Sequence, residues 1–170
     1  MGKEKLSEKA YELGFDYMKE YGICSQCVFA AVMDTLGIRK DDAFQAASAL
    51  GGGVARSGLG TCGALTGGVM VISALHGRER SDFKDIQRKR DKAYLIAKKL
   101  YDQFVREYGS PICEDVQRRI FGRTFNFWNP DDVEQFNELG GHTDKCTRVV
   151  GLTARWTLQI LLSEDIPKNR

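Results

Sequence analysis

The 170-residue chain has no apolar run long enough to cross a bilayer, which argues against a membrane-embedded protein. It also lacks a dominant charge: the net charge is +2 and basic residues are scattered among acidic ones, so there is no electrostatic footprint for nucleic acid. Residues Met1 to Phe15 are charged and show neither the apolar core nor the small-residue cleavage site of a secretion signal. Leu6 stands where N-myristoylation at Gly2 would need Ser or Thr, so lipidation is discounted. Internal repeats, low-complexity tracts and β-type alternation are missing too. These absences predict a cytoplasmic chain with no membrane and no nucleic-acid partner. What remains, 42% hydrophobic and 28% charged residues, suits one folded domain over residues 1–170.

Helical periodicity fills that domain and predicts an all-α, multi-helix bundle. Leu6, Ala10, Leu13, Tyr17 and Tyr21 share one face of a first helix that ends at Gly22. A second runs from Cys24 to Leu36 and closes at Gly37; Asp41 caps a third that continues through Ala49. The glycine-rich stretch from Gly51 to Gly60 is read as a flexible, tight connection, followed by a buried helix from Gly63 to Leu75. Phe83, Ile86, Ala93, Ala97, Leu100 and Phe104 predict a long helix over 82–108, with the charges of Arg78 to Lys92 on a solvated face. Ser110-Pro111 starts a short helix at Cys113 that ends near Gly122, and Asn129-Pro130 opens a loop or short helix. Thr143 caps a last helix carrying Cys146, Val149, Thr153, Trp156 and Ile160, with a frayed tail after Ser163.

Against this background stand five cysteines, four of which, Cys24, Cys62, Cys113 and Cys146, open predicted helices. A helix start presents unpaired N–H groups and the positive end of the backbone dipole, which favour a thiolate over its thiol. A reducing compartment disfavours permanent disulfides, so an odd, widely spaced set reads as catalytic, redox-sensing or metal-binding. Any one of them alone would read as a buried apolar thiol. Cys24-x-x-Cys27 at a helix start fits an attacking thiol with a resolving one, and fits an ordinary core pair equally well. Four thiolates also make the full ligand set of a tetrahedral zinc or an iron–sulfur cluster, although the paired CxxC knuckles of zinc ribbons and the dense run of ferredoxins are missing.

Taken together, Cys24-Ser25-Gln26-Cys27-Val28, the block Thr61-Cys62-Gly63-Ala64-Leu65-Thr66-Gly67, and the later Cys113 and Cys146 resemble the C_GCAxxG_C_C family of proposed redox-active proteins, over roughly residues 21–161. The central block departs from the literal Gly-Cys-Ala, and Cys27 is an extra thiol. The resemblance implies one redox site built on Cys24, Cys62, Cys113 and Cys146, which either exchange disulfides or hold an iron–sulfur centre. Cys24 is the preferred attacking or ligating thiol, Cys62 its partner, and Cys113 with Cys146 a second pair or relay. Arg56 and Gly63 are expected beside a bound group. Because zinc is redox-inert, the implied redox role ranks an iron–sulfur cluster above it.

Other patterns are set aside on context. Gly58-Leu59-Gly60-Thr61-Cys62-Gly63 matches G-x-G-x-x-G, but no predicted strand precedes it and no βαβ unit surrounds it. Val28 follows Cys27 where covalent c-type haem needs His, so none is expected. His76 and His142 read as helix-terminal polar residues, with His142 spaced to share a metal with Cys146. Phe121, Phe125, Phe127 and Trp128 read as packing, a shield over the site, or an oligomer interface. The competing classes are a structural zinc–thiolate site and an interaction domain with inert thiols. The expected partners are an unidentified redox protein and a second copy of the chain.

Overall fold

The computed structural model describes residues 2–164, so the predicted frayed tail lies, from Asp165 onward, outside the described residues. Among the described residues the chain forms eight α-helices: α1 (Lys3–Tyr21), α2 (Cys24–Leu36), α3 (Asp41–Ala46), α4 (Gly63–His76), α5 (Lys89–Tyr108), α6 (Cys113–Phe121), α7 (Pro130–Glu138) and α8 (Cys146–Ser163). The all-α bundle expected from periodicity is therefore what forms. No helix among these residues is long and apolar enough to cross a membrane.

Helix α8 is central, packing against α1, α2, α4 and α5, while α2 and α4 also pack on each other. The core is contiguous, with Phe29, Leu65, Ile72, Leu100, Phe104, Leu158 and Leu161 buried in one cluster. Helix α2 stops where Gly37 adopts the left-handed conformation, with its N–H closing back onto the last turn. Asn129 caps α7, its side chain accepting from the Asp131 amide at 2.9 Å with Pro130 in the first turn.

Several predicted boundaries move. Helix α3 ends at Ala46 and gives way to a single 3-10 turn, Ser48–Leu50, while Asp41 lies inside the helix instead of capping it. Helix α5 begins at Lys89, seven residues after the predicted start at Asp82. Asp85 and Arg88 both have positive φ, and the buried Asp85 carboxylate accepts from the amides of Lys89 at 2.7 Å and Arg90 at 3.1 Å. That carboxylate satisfies the first free N–H groups of α5 and fixes its start. Phe83 and Ile86, which imitate the heptad spacing, are 59% and 83% exposed. Ile112, not Ser110, precedes α6, and Thr143 lies inside a five-residue π-turn, Gly141–Lys145, that leads into α8.

Candidate redox site

The starts of α2, α4, α6 and α8 meet around one cavity of about 430 Å³, lined by Cys24, Cys62, Cys113 and Cys146. Its other walls are apolar, including Val133, Phe136, Val149 and Val150, with Phe127 and Trp128 beside them. Arg56 and His142 also line it. Cys27 does not. Its thiol donates to the Gly22 carbonyl at 2.7 Å and faces a separate hollow shared with Tyr17, Tyr21 and Phe44. All five cysteines are free thiols.

Cys62 and Cys113 are linked through the backbone beside them. The residues before them, Thr61 and Ile112, form an isolated antiparallel bridge. The Cys62 amide donates to Pro111 O at 2.7 Å, and the Cys113 amide donates to Gly60 O at 3.0 Å. This short ladder brings the two side chains near each other, close enough for each thiol to shift the other's ionisation.

The glycine-rich connection is an ordered structural device. Gly52, Gly53, Val54, Ala55 and Arg56 all have positive φ, making a left-handed turn in which three residues are not glycine. Each non-glycine residue so placed costs about 1–2 kcal/mol. The strain is held by hydrogen bonds from Ala55 N to Ala49 O at 2.7 Å and from Gly58 N to Gly52 O at 2.9 Å. The Trp128 indole N–H adds another, to Ala55 O at 3.0 Å. Gly53 is required twice over, by its φ of +75° and because a Cβ there would come within 2.7 Å of Cys113 Cβ. A Cβ on Gly63 would collide with Cys24 Sγ, so the glycine lets that sulfur rest on the start of α4.

The helix starts favour thiolates only in part. Cys24 does receive N–H groups from Gly52 and Ser25, yet burial and the neighbouring Cys113 push it from 9.0 up to about 11. Cys62 rises well above the ordinary thiol range because it gives its hydrogen bond to Cys113 and is buried, despite an N–H from Ala64. Cys146 rises through burial and the nearby Cys24 and Cys113. Its own amide is consumed by the π-turn, bonding to Gly141 O. Cys113 alone is lowered, by the hydrogen bond from Cys62 and, against the opposing effect of burial, by one from Gln117. The amides of Cys113 and Glu114 bond loop carbonyls instead, so the lowering at Cys113 comes from side chains and not from the helix start.

Gln117 is the site residue that the sequence did not single out. It is buried, its Nε2 donates to Cys113 Sγ at 3.3 Å, and its Oε1 accepts from the Phe125 amide at 2.8 Å. That second bond orients the amide so that its NH₂ faces the sulfur. The one available signal was its position four residues after Cys113, one turn along the same helix face. Burial and the nearby Arg56 push His142 below the ordinary imidazole range, and it packs edge-on against Phe136 with ring centroids 5.2 Å apart. Among the described residues no three His, Cys, Asp or Glu side chains converge closely enough to hold a single metal ion.

Four free thiols gathered in one apolar cavity, with one favoured as thiolate, define a thiol-based site. A protein-family model described as "Putative redox-active protein (C_GCAxxG_C_C)" matches residues 23–160, a span that includes all five cysteines. The chain belongs to that redox-active family. It has no match among curated proteins or solved structures.

Proposed function

We propose that the protein is a two-electron dithiol–disulfide redox carrier whose exchanging pair is Cys62 and Cys113. The observation that carries this reading is the Thr61–Ile112 bridge, which fixes the backbones at Cys62 and Cys113 to each other and brings their thiols close enough to shift each other's ionisation. Oxidation joins the two sulfurs, releases the Cys62 proton and gives two electrons to an acceptor. Reduction reverses each change. Cys113 takes the attacking role that the sequence suggested for Cys24, because its sulfur accepts from two donors and is the one favoured as thiolate. Cys24 and Cys146 flank the pair, and Cys27 stands outside it.

The test is mild diamide oxidation of the anaerobically purified protein followed by peptide mapping. The expected product is a single Cys62–Cys113 cross-linked peptide, with two thiols lost per chain. Either cysteine-to-serine change at the pair should abolish it. Five unchanged thiols, or a different pairing, would refute the assignment.

A second reading keeps all four cysteines as ligands of an iron–sulfur centre that supplies one-electron transfer. It is favoured by their sharing one cavity, where each thiolate disfavours ionisation of the next, a repulsion that a cationic centre relieves. Iron with acid-labile sulfide and visible charge-transfer bands in the anaerobic protein would establish it in place of the dithiol.

A further inference from the structure

The walls above the thiol pair carry information about what oxidises it. Cys62 and Cys113 are only 6% and 7% exposed, and they line the cavity. Exchange with another protein's disulfide needs that disulfide's sulfur to meet the thiolate directly, so it cannot proceed against a sulfur this deeply set. A small molecule can enter. The cavity volume of about 430 Å³ lies within the ~300–1,000 Å³ of small-molecule sites.

The lining selects further. Val133, Phe136, Val149 and Val150 offer apolar contact with no carboxylate among the lining residues. Trp128 is 71% exposed, yet its indole N–H is tied to Ala55 O at 3.0 Å, so the ring is held as a flat platform beside Phe127. A linear disulfide is bent through a dihedral near 90° and matches such a platform poorly. Arg56 makes no ion pair among the described residues and brings a cation to the same cavity. That charge suits a ligand whose oxygen becomes negative during reaction.

Resting on the dithiol reading, we propose that the cavity binds a small, planar, uncharged aromatic oxidant of the quinone class and that Cys62 and Cys113 reduce it. In the step, the two sulfurs join and their two electrons pass to the quinone. The Cys62 proton goes to one quinone oxygen and a proton from water to the other, so a hydroquinone leaves. Arg56 favours the negative charge on oxygen before the second proton arrives. This is a departure from the expected protein partner.

The test uses the full chain, reduced and freed of reductant under anaerobic conditions, with 2,3-dimethyl-1,4-naphthoquinone, whose ring has no position open to thiol addition. The expected result is one quinone reduced for each Cys62–Cys113 disulfide formed, and saturable quenching of tryptophan fluorescence by the quinone. Ala49→Phe and Val133→Phe, each placing a ring in the cavity, should slow quinone reduction at least tenfold. Diamide should still bring the pair to complete disulfide in both. Folding of both variants is checked by thermal unfolding. Should both misfold, the stoichiometry and quenching of the unaltered chain decide.

If diamide forms the disulfide but the quinone is neither reduced nor bound, the inference fails and the dithiol reading stands. Folded variants that reduce the quinone at the unaltered rate, or faster oxidation by hydroxyethyl disulfide, also overturn it. If diamide fails to link the pair, the dithiol reading falls and takes the inference with it.

Discussion

Cys62 and Cys113 meet beside a bridge one residue pair long, formed by Thr61 and Ile112, where the Cys62 thiol acts as donor toward the Cys113 sulfur in setting their ionisation. The two thiols have opposite fates because of it: the donor keeps its proton more firmly and the acceptor loses its own more easily. Removing the donor by Cys62→Ala should therefore raise the Cys113 pKa. Hydrogen bonds to charged groups contribute ~1.5–3 kcal/mol, so alkylation of Cys113 near neutral pH should slow by about tenfold or more. Iodoacetamide kinetics with peptide mapping reads this. An unchanged Cys113 rate would show that the hydrogen bond does not govern its ionisation.

Gly63→Ala places a methyl group against Cys24 Sγ at the start of α4. The sulfur or the helix has to move, and overpacking of this kind typically costs ~1–3 kcal/mol. The variant should unfold at a lower denaturant midpoint and show a faster-reacting Cys24. Full stability with an unperturbed Cys24 would mean that the two elements are not in the described contact.

Alkaline pH should destabilise the reduced protein. Burial holds Cys24 up to about 11 and Cys27 up to about 12 and raises Cys146, while donation to Cys113 together with burial raises Cys62. In the unfolded chain these thiols ionise near 9.0, so above that pH the folded state binds more protons and stability falls as pH rises. Cys113 acts in the opposite sense, adding stability as pH climbs towards 9.0 from its lowered value, and one such group is outweighed by four. Denaturant midpoints measured with reductant should decline steadily above pH 9.0. A flat profile from there to pH 11 contradicts the burial of these thiols.

Cys27→Ser should leave the redox pair intact. The serine hydroxyl can still donate to Gly22 O, and the side chain does not line the main cavity. Stability should change by about 1 kcal/mol or less, and diamide should still link Cys62 to Cys113. Loss of that cross-link in the variant would return the Cys24-x-x-Cys27 pair to the centre of the chemistry.

Asp85→Ala removes the carboxylate that accepts from Lys89 N and Arg90 N. Loss of a helix cap costs ~0.5–2 kcal/mol. Amide hydrogen exchange in the first turn of α5 should accelerate, with the cavity thiols unaffected. Unaltered protection at Lys89 and Arg90 would show that the cap is not what starts the helix.

The legible parts of this fold are those with local causes. Helix α2 begins and ends where Cys24, Leu36 and Gly37 predict, because a left-handed glycine stops a helix whatever surrounds it. The same holds at Gly122 after α6. The stretch before α5 misled because Phe83 and Ile86 repeat at helical spacing, while the break depends on a carboxylate that becomes buried only in the folded chain. The glycine run was legible as a tight connection. Its left-handed continuation through Val54, Ala55 and Arg56 was not, since those residues disfavour that geometry and are held in it by distant partners such as Trp128.

By itself, then, the sequence determined an all-α chain with cysteines at four helix starts, because periodicity and stop signals act within a few residues of where they are written. Which cysteines meet, and which of them ionises most readily, was decided by tertiary structure. A thiol's proton responds to burial and to neighbouring sulfurs and amides, and for Cys113 the decisive donors are Gln117, one turn away, and Cys62, on a different helix start far back along the chain.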